Sequence, residues 1–322
     1  MPAYPAFAAL PRPDDSGLPL AWGVWGPEDP LGTLNHITPA TVQAAARLIE
    51  RGERFNLDLP LHVPYGLLSG GGHRRRKAPE QTILEISPPG GLAGRDDKLD
   101  AFWLQCSSQW DGLTHIGDPR HGFYNGVTPA QITGAEGTRN GIEHMAAFGI
   151  AGRAVLADFP RYCARVGRDW QPNAQQVISA AELDACLADA GVSVQPGDVV
   201  LLRTGWLAEF LGAAQARRDE IMSAWTFSGL SGGADMWEWI WERRVAALAA
   251  DSPTAEVWPL FEGRPSLHLA IARLGLTLGE MFDLEALAAD CARDGRYAGF
   301  FTSSPLHLRG GVGSPPNAML IK

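Results

Sequence analysis

Asp111 and His115 stand four residues apart in the stretch "QWDGLTHIGDPRH", Gln109 to His121, and His121 follows six residues later. A carboxylate and an imidazole suit a borderline divalent cation such as Zn²⁺ or Mn²⁺, and a catalytic site wants about three protein ligands plus an open position for water. Gly112, Gly117 and Pro119 argue against one regular helix here, so a looped backbone would have to turn these side chains toward one point. One loop supplies too few ligands, and the others must come from distant segments. Among the eight histidines, His268 lies in a helical segment, and Glu280 follows after a glycine turn near the start of another helical pattern, "GEMFDLEALAADC". Spacing alone leaves a second reading of this pair open, a histidine flanking an apolar helix face and a surface carboxylate.

Several elements are legible around these residues. Four short apolar runs bounded by turn residues read as buried strands: 153–159, 198–206, 245–251 and 317–321. Helical patterns lie among them. The clearest is "SAAELDACLADAG", where Ser179 and Glu182 form a capping box and Gly191 marks the stop; Pro39 to Gly52 and Leu267 to Gly275 are others. Strands apolar along their length and separated by helices imply an α/β arrangement with covered sheet faces, and no repeat or long linker divides residues 1–322. Ser87 to Gly94 reads as a loop. In "ADMWEWIWERR", Trp237 and Trp241 fall one helical turn apart beside Ile240, which predicts core or subunit-interface packing.

With 322 residues, 45% of them hydrophobic, the chain can bury a large core. Its formal net charge of −9 argues against a nucleic-acid partner. The one basic run, His73 to Lys77, follows three glycines and reads as a solvated loop rather than an anion site. Four widely spaced cysteines indicate neither a zinc knuckle nor a disulfide framework. No leader-like segment or run of about 18 apolar residues occurs, so a soluble, cytoplasmic protein without a membrane partner is expected.

The stretch resembles the signature H-x-G-T-H-x-D-x-P-x-H of the cyclase family of metal-dependent hydrolases, which includes bacterial kynurenine formamidase and isatin hydrolase. Thr114, His115, Pro119 and His121 match it; Asp111, Leu113 and Gly117 depart, standing where histidine, glycine and aspartate would be. Larger members read Q-W-D-G-L-x-H, as Gln109 to His115 does, and the likeness extends through "GIAGRAVLADF", "PGDVVLLRTGW" and "SLHLAIARLGLTLGEMFDLEAL" to "GSPPNAMLI". The resemblance implies a single cyclase-like swivelling β/β/α domain with an N-terminal extension, assembled as a homodimer or homotetramer. It also implies one divalent ion, Zn or Mn, held by Asp111, His115, His268 and Glu280. Gly117 lacks a carboxylate that would bridge a second ion, with Asp118 a displaced substitute.

By the same resemblance His121 is the proton shuttle of a hydrolase acting on a small amide, cyclic amide or imide, lactone or N-formyl substrate. Trp110, Tyr124 and Trp206 are candidate walls for its pocket. Two alternatives compete. "GLSGG" fits G-x-S-x-G, which makes Ser231 a candidate nucleophile with Asp251 or Asp283 and His268 or His307, although "EIMSAWTF" before it is too polar for a buried strand. A non-catalytic binding or scaffold protein on the same fold is the other.

Overall fold

In the computed structural model, residues 4–70, 72–73, 76–87 and 89–322 are described. Nine strands share one sheet: β1 (Arg54–Asn56), β2 (Gln109–Asp111), β3 (Ile150–Asp158), β4 (Val199–Arg203), β5 (Ala247–Ala250), β6 (Thr277–Glu280), β7 (Ala298–Ser303), β8 (Gly313–Ser314) and β9 (Ala318–Ile321). Across the sheet they run β1-β9-β7-β3-β4-β5-β6-β2-β8. The middle four, β3 to β6, are parallel, and the strands on either side pair antiparallel. Val199 to Leu202 and all of β5 are buried, as parallel strands covered on both faces must be. The chain is thus the single α/β domain that the sequence implied.

The four expected strands are β3, β4, β5 and β9; β4, β5 and β9 are trimmed, while β3 begins three residues earlier than expected, at Ile150. Trp206 does not extend β4: Gly205, at φ 83°, turns the chain, and Trp206 opens the helix Trp206–Gly212. The capping box forms as read, with Glu182 N donating to Ser179 Oγ at 3.3 Å and Ser179 N donating to Glu182 Oε2 at 2.9 Å. The first helix, Pro39–Ala46, is shorter than expected and capped by Thr38. All three tryptophans of the helix Ala234–Glu242 are buried, and Tyr4 stacks on Trp241 with ring centroids 4.6 Å apart, so that segment packs within the core.

Two hairpins stand apart from the sheet. Glu80–Ile86 pairs with Gly94–Asp100 in an exposed ribbon, whose tip is the Gly/Pro-rich segment from Ser87. Gly72–His73 pairs antiparallel with Arg76–Lys77, so the described ends of the basic run are paired strand rather than the expected solvated loop; Arg74 and Arg75 lie outside the described residues. The four cysteines are free and buried, and among the described residues no helix is long and apolar enough to cross a membrane.

Candidate metal centre

The centre is built on the antiparallel pair β2 and β6. Glu280 lies opposite Gln109, Gly279 opposite Trp110 and Leu278 opposite Asp111. Because side chains alternate along a strand, Gln109, Asp111 and Glu280 share one face and Trp110 takes the other. Gln109 Nε2 donates to Glu280 Oε2 at 2.6 Å and to Asp111 Oδ1 at 3.2 Å. On the reverse face the Trp110 indole occupies the space over Gly279, where a Cβ would come within 2.7 Å of it. Its Nε1 donates to Ser303 Oγ at 2.9 Å. Trp110 is therefore a core residue and not a pocket wall. Glu280 also differs from expectation, ending a strand rather than opening a helix; the helix begins at Glu285.

His268 caps the helix Leu269–Leu274 and meets this face from above the strand ends. Its Nδ1 lies 2.5 Å from Glu256 Oε1, and its Nε2 lies 3.0 Å from Glu280 Oε1 and 3.9 Å from Asp111 Oδ2. Glu256 also accepts from Ser266 Oγ at 2.6 Å and from Leu267 N at 2.5 Å, so one buried carboxylate ties down the whole approach to His268. The glycines of "GLSGG" make this possible. A Cβ on Gly229 would fall 2.6 Å from the Glu256 carbonyl carbon, and one on Gly232 would fall 1.9 Å from Pro265 O. Close backbone approach, rather than a nucleophile, accounts for the motif. Ser231 Oγ accepts from Gly233 N at 3.0 Å, while Asp251 is engaged by Thr204 and Gly205 and His268 by Glu256 and Glu280. The expected serine triad is not assembled.

Ligand atoms of Asp111, His268 and Glu280 all lie within 4.8 Å of one another. Burial, with the Asp111 charge beside it, pushes the Glu280 carboxyl up to about 7. Burial alone would lower the His268 pKa, but hydrogen bonds and charge from Glu256 and Glu280 hold it well above its ordinary value. Among the described residues, Asp111 Oδ2 and Gln109 Oε1 are buried with no hydrogen-bond partner. Orphaned buried oxygens facing an imidazole are costly unless something positive sits between them.

The family model described as "Putative cyclase" matches residues 35–257, more than half of the chain. The chain belongs to the cyclase family. A crystal structure of a novel cyclase is 32% identical, with a TM-score of 0.82 over 94% of this chain and 99% of that one. Isatin hydrolase A from Labrenzia aggregata, bound to benzyl benzoate, is 13% identical, with a TM-score of 0.51 over 83% and 93% of the two chains, a likeness of fold. No curated protein matches the sequence. His268 and Glu280 lie beyond the residues that the family model matches.

The other expected site residues of this cyclase fall into two groups. His115 lines the pocket beside the trio, a cavity of about 320 Å³, and its Nε2 lies 3.6 Å from Asp111 Oδ1. The rest are elsewhere. His121 Nε2 is 2.6 Å from Asp14 Oδ2 and is not on that pocket wall. Asp14 and Asp118 both bind the buried Arg273, at 2.5 and 2.6 Å, and Asp118 Oδ1 also accepts from the backbone of Arg120 and His121. Burial would raise the Asp118 pKa, but Arg273 and the backbone donors outweigh it and hold it below the usual range. Asp118 is thus fully committed and does not replace the carboxylate missing at Gly117, where a Cβ would press on the Phe123 ring at 3.1 Å. Tyr124 is buried against Gly275 with its hydroxyl 3.2 Å from Asp29, and Trp206 is buried in a stack on Phe210.

Glu256, Tyr65, Trp225, Trp258 and Arg76 line the pocket without having been expected there. No motif marks them. Only the basic run flagged Arg76, and it was read as solvated.

Proposed function

We propose that this cyclase is a metal-dependent hydrolase of a small amide, cyclic amide or imide, lactone or N-formyl compound. The observation that carries the reading is the buried, unpartnered Asp111 Oδ2, set among ligand atoms of His268 and Glu280 within 4.8 Å. One carboxylate from each of two strands and one imidazole form a donor set suited to Zn²⁺ or Mn²⁺, and three ligands with an open fourth position is the catalytic pattern. A divalent cation held there would polarise a carbonyl oxygen and lower the pKa of water toward about 7.

The chain's own residues do the rest. Glu256 accepts the Nδ1 proton of His268 and so presents Nε2 to the site, the arrangement that fixes tautomer and ring orientation in metal-ligating histidines. Gln109 holds Glu280 and Asp111 apart in fixed directions through its amide. His115, open to the pocket and outside the trio, takes the proton of the attacking water at Nε2 and returns it to the departing nitrogen or oxygen, the role first assigned to His121. Tyr65, Trp225 and Trp258 shape an apolar cavity large enough for a single ring. The homodimer or homotetramer implied by the resemblance belongs to this proposal and is checked by light scattering.

The direct test is elemental analysis of protein purified without chelators or immobilised metal, beside its Asp111→Ala and His268→Ala variants. About one equivalent of Zn or Mn in the parent, lost in both variants together with amide or lactone hydrolysis, is the expected result. A parent that stays metal-free after reconstitution with either ion would overturn the reading.

A further inference from the structure

The pocket beside the metal trio has apolar walls, Ile116, Trp225, Trp258 and Leu269, and one guanidinium, Arg76. Arg76 arrives on the hairpin Gly72–His73/Arg76–Lys77 and is half-buried. Its Nη1 donates to Gln105 O at 3.2 Å, its fork also hydrogen-bonds the Tyr65 hydroxyl, and its charge acts on Glu280. Among the described residues it has no carboxylate at ion-pair distance. Arg153, Arg203 and Arg273 each hold at least one carboxylate, and Arg218, half-buried without one, spends Nε and Nη2 on the carbonyls of Phe210 and Leu211.

A guanidinium carries five donors in a rigid fork and is costly to desolvate when most of them are idle. Arg76 has the wrong sign to ligate a cation, and one carbonyl and one phenol hydroxyl, both neutral, do not balance its charge. The three pocket carboxylates do not need it either, since His268 and a bound cation would occupy them. What the fork fits is a planar anion entering the cavity. It also solves an electrostatic problem, because a pocket lined by Glu256 and Glu280 would otherwise repel a negatively charged molecule.

We propose that Arg76 anchors a substrate that bears its own carboxylate, so that this hydrolase prefers anionic ring-sized amides, imides or lactones over neutral ones. The preference rests on the hydrolase reading for its chemistry, while the anchoring contact can be read by binding alone.

The test uses 4-formamidobenzoate and its neutral partner 4-formamidobenzamide with the metal-loaded parent, Arg76→Gln and Arg76→Lys, by steady-state kinetics and by calorimetric titration. The expected result is a parent that favours the benzoate, and an Arg76→Gln variant that raises KM for it by about 10- to 100-fold with a several-fold smaller effect on the benzamide; Arg76→Lys recovers part of the loss. Equal use of both compounds by the parent, or equal losses for both in Arg76→Gln, would overturn the proposal. If Arg76→Gln melts early, Arg76→Lys alone decides, by selective weakening of the benzoate or by none. Arg76-dependent binding of the benzoate without hydrolysis of either compound would keep the anchor and sink the hydrolase reading. Absence of both binding and hydrolysis would sink the anchor.

Discussion

Two halves of a single stretch, Gln109 to Asp111 and Asp118 to His121, carry carboxylates that end in opposite conditions. Asp118 spends both oxygens on Arg273 and backbone donors, and Asp14 joins the same guanidinium. Asp111 accepts one hydrogen bond, from the Gln109 amide at Oδ1, and none at Oδ2, where His268 Nε2 stands off at 3.9 Å with Glu280 close beside it. The first cluster is matched by a fully engaged guanidinium; the second sets three carboxylates, Asp111, Glu256 and Glu280, against the single imidazole of His268. Buried charge that is paired holds a fold together, and buried charge left unpaired is retained at the expense of stability where something else must bind.

That contrast can be broken by substitution. Asp111→Ala or His268→Ala should bring bound metal from about one equivalent to none and turnover to background, while the metal-free protein melts no earlier than the metal-free parent; early melting with metal retained would reverse the assignment of the two clusters. Arg273→Leu should do the opposite, losing about 3–5 kcal/mol in chemical denaturation with metal content unchanged, because Asp14 and Asp118 are left buried and unpaired. His115→Ala should keep the metal and lose about 100-fold or more in kcat; loss of the metal instead would make His115 a ligand, as first expected from the sequence.

Glu256→Gln sharpens the comparison, since it removes the charge that supports His268 at Nδ1 while leaving all three residues of the trio in place. Metal affinity measured by competition with a chromophoric chelator should fall by about 10- to 100-fold. Asp58 lies between the two cases: its Oδ2 accepts from Ala318 N at 3.0 Å, its Oδ1 has no partner among the described residues, and burial pushes its pKa up to about 6. The folded state thus holds this proton more tightly than the unfolded chain. Stability from this group should fall by about 1–2 kcal/mol as pH rises from 4 through 6, and Asp58→Asn should flatten that slope in denaturation curves.

The sequence made the parallel centre of the sheet legible, because β3, β4 and β5 are apolar throughout and flanked by helices. The antiparallel pairing of β2 with β6, which carries the site, was not legible. Gln109 to Asp111 was read as loop on account of the glycines that follow it, and once it was read as loop nothing separated Trp110 from its neighbours. A two-residue period would have put the indole on the reverse face. Asp111, His268 and Glu280 were found through resemblance to a motif. Glu256 and Gln109 were missed since their roles depend on register and on a loop that closes through tertiary contact. Arg76 was misjudged for a related reason: its run is basic throughout, and only the hairpin decides which residue meets the cavity.

The pairing of β2 with β6 has a consequence in time. Gln109 and Glu280 are 171 residues apart along the chain and adjacent in the sheet, so the ligand set does not exist until the last quarter of the domain has been synthesised and its edge has closed. A nascent chain holds Asp111 long before it holds His268 or Glu280. On the metal-dependent reading proposed above, cation capture is therefore a late event that fastens a strand pairing already in place.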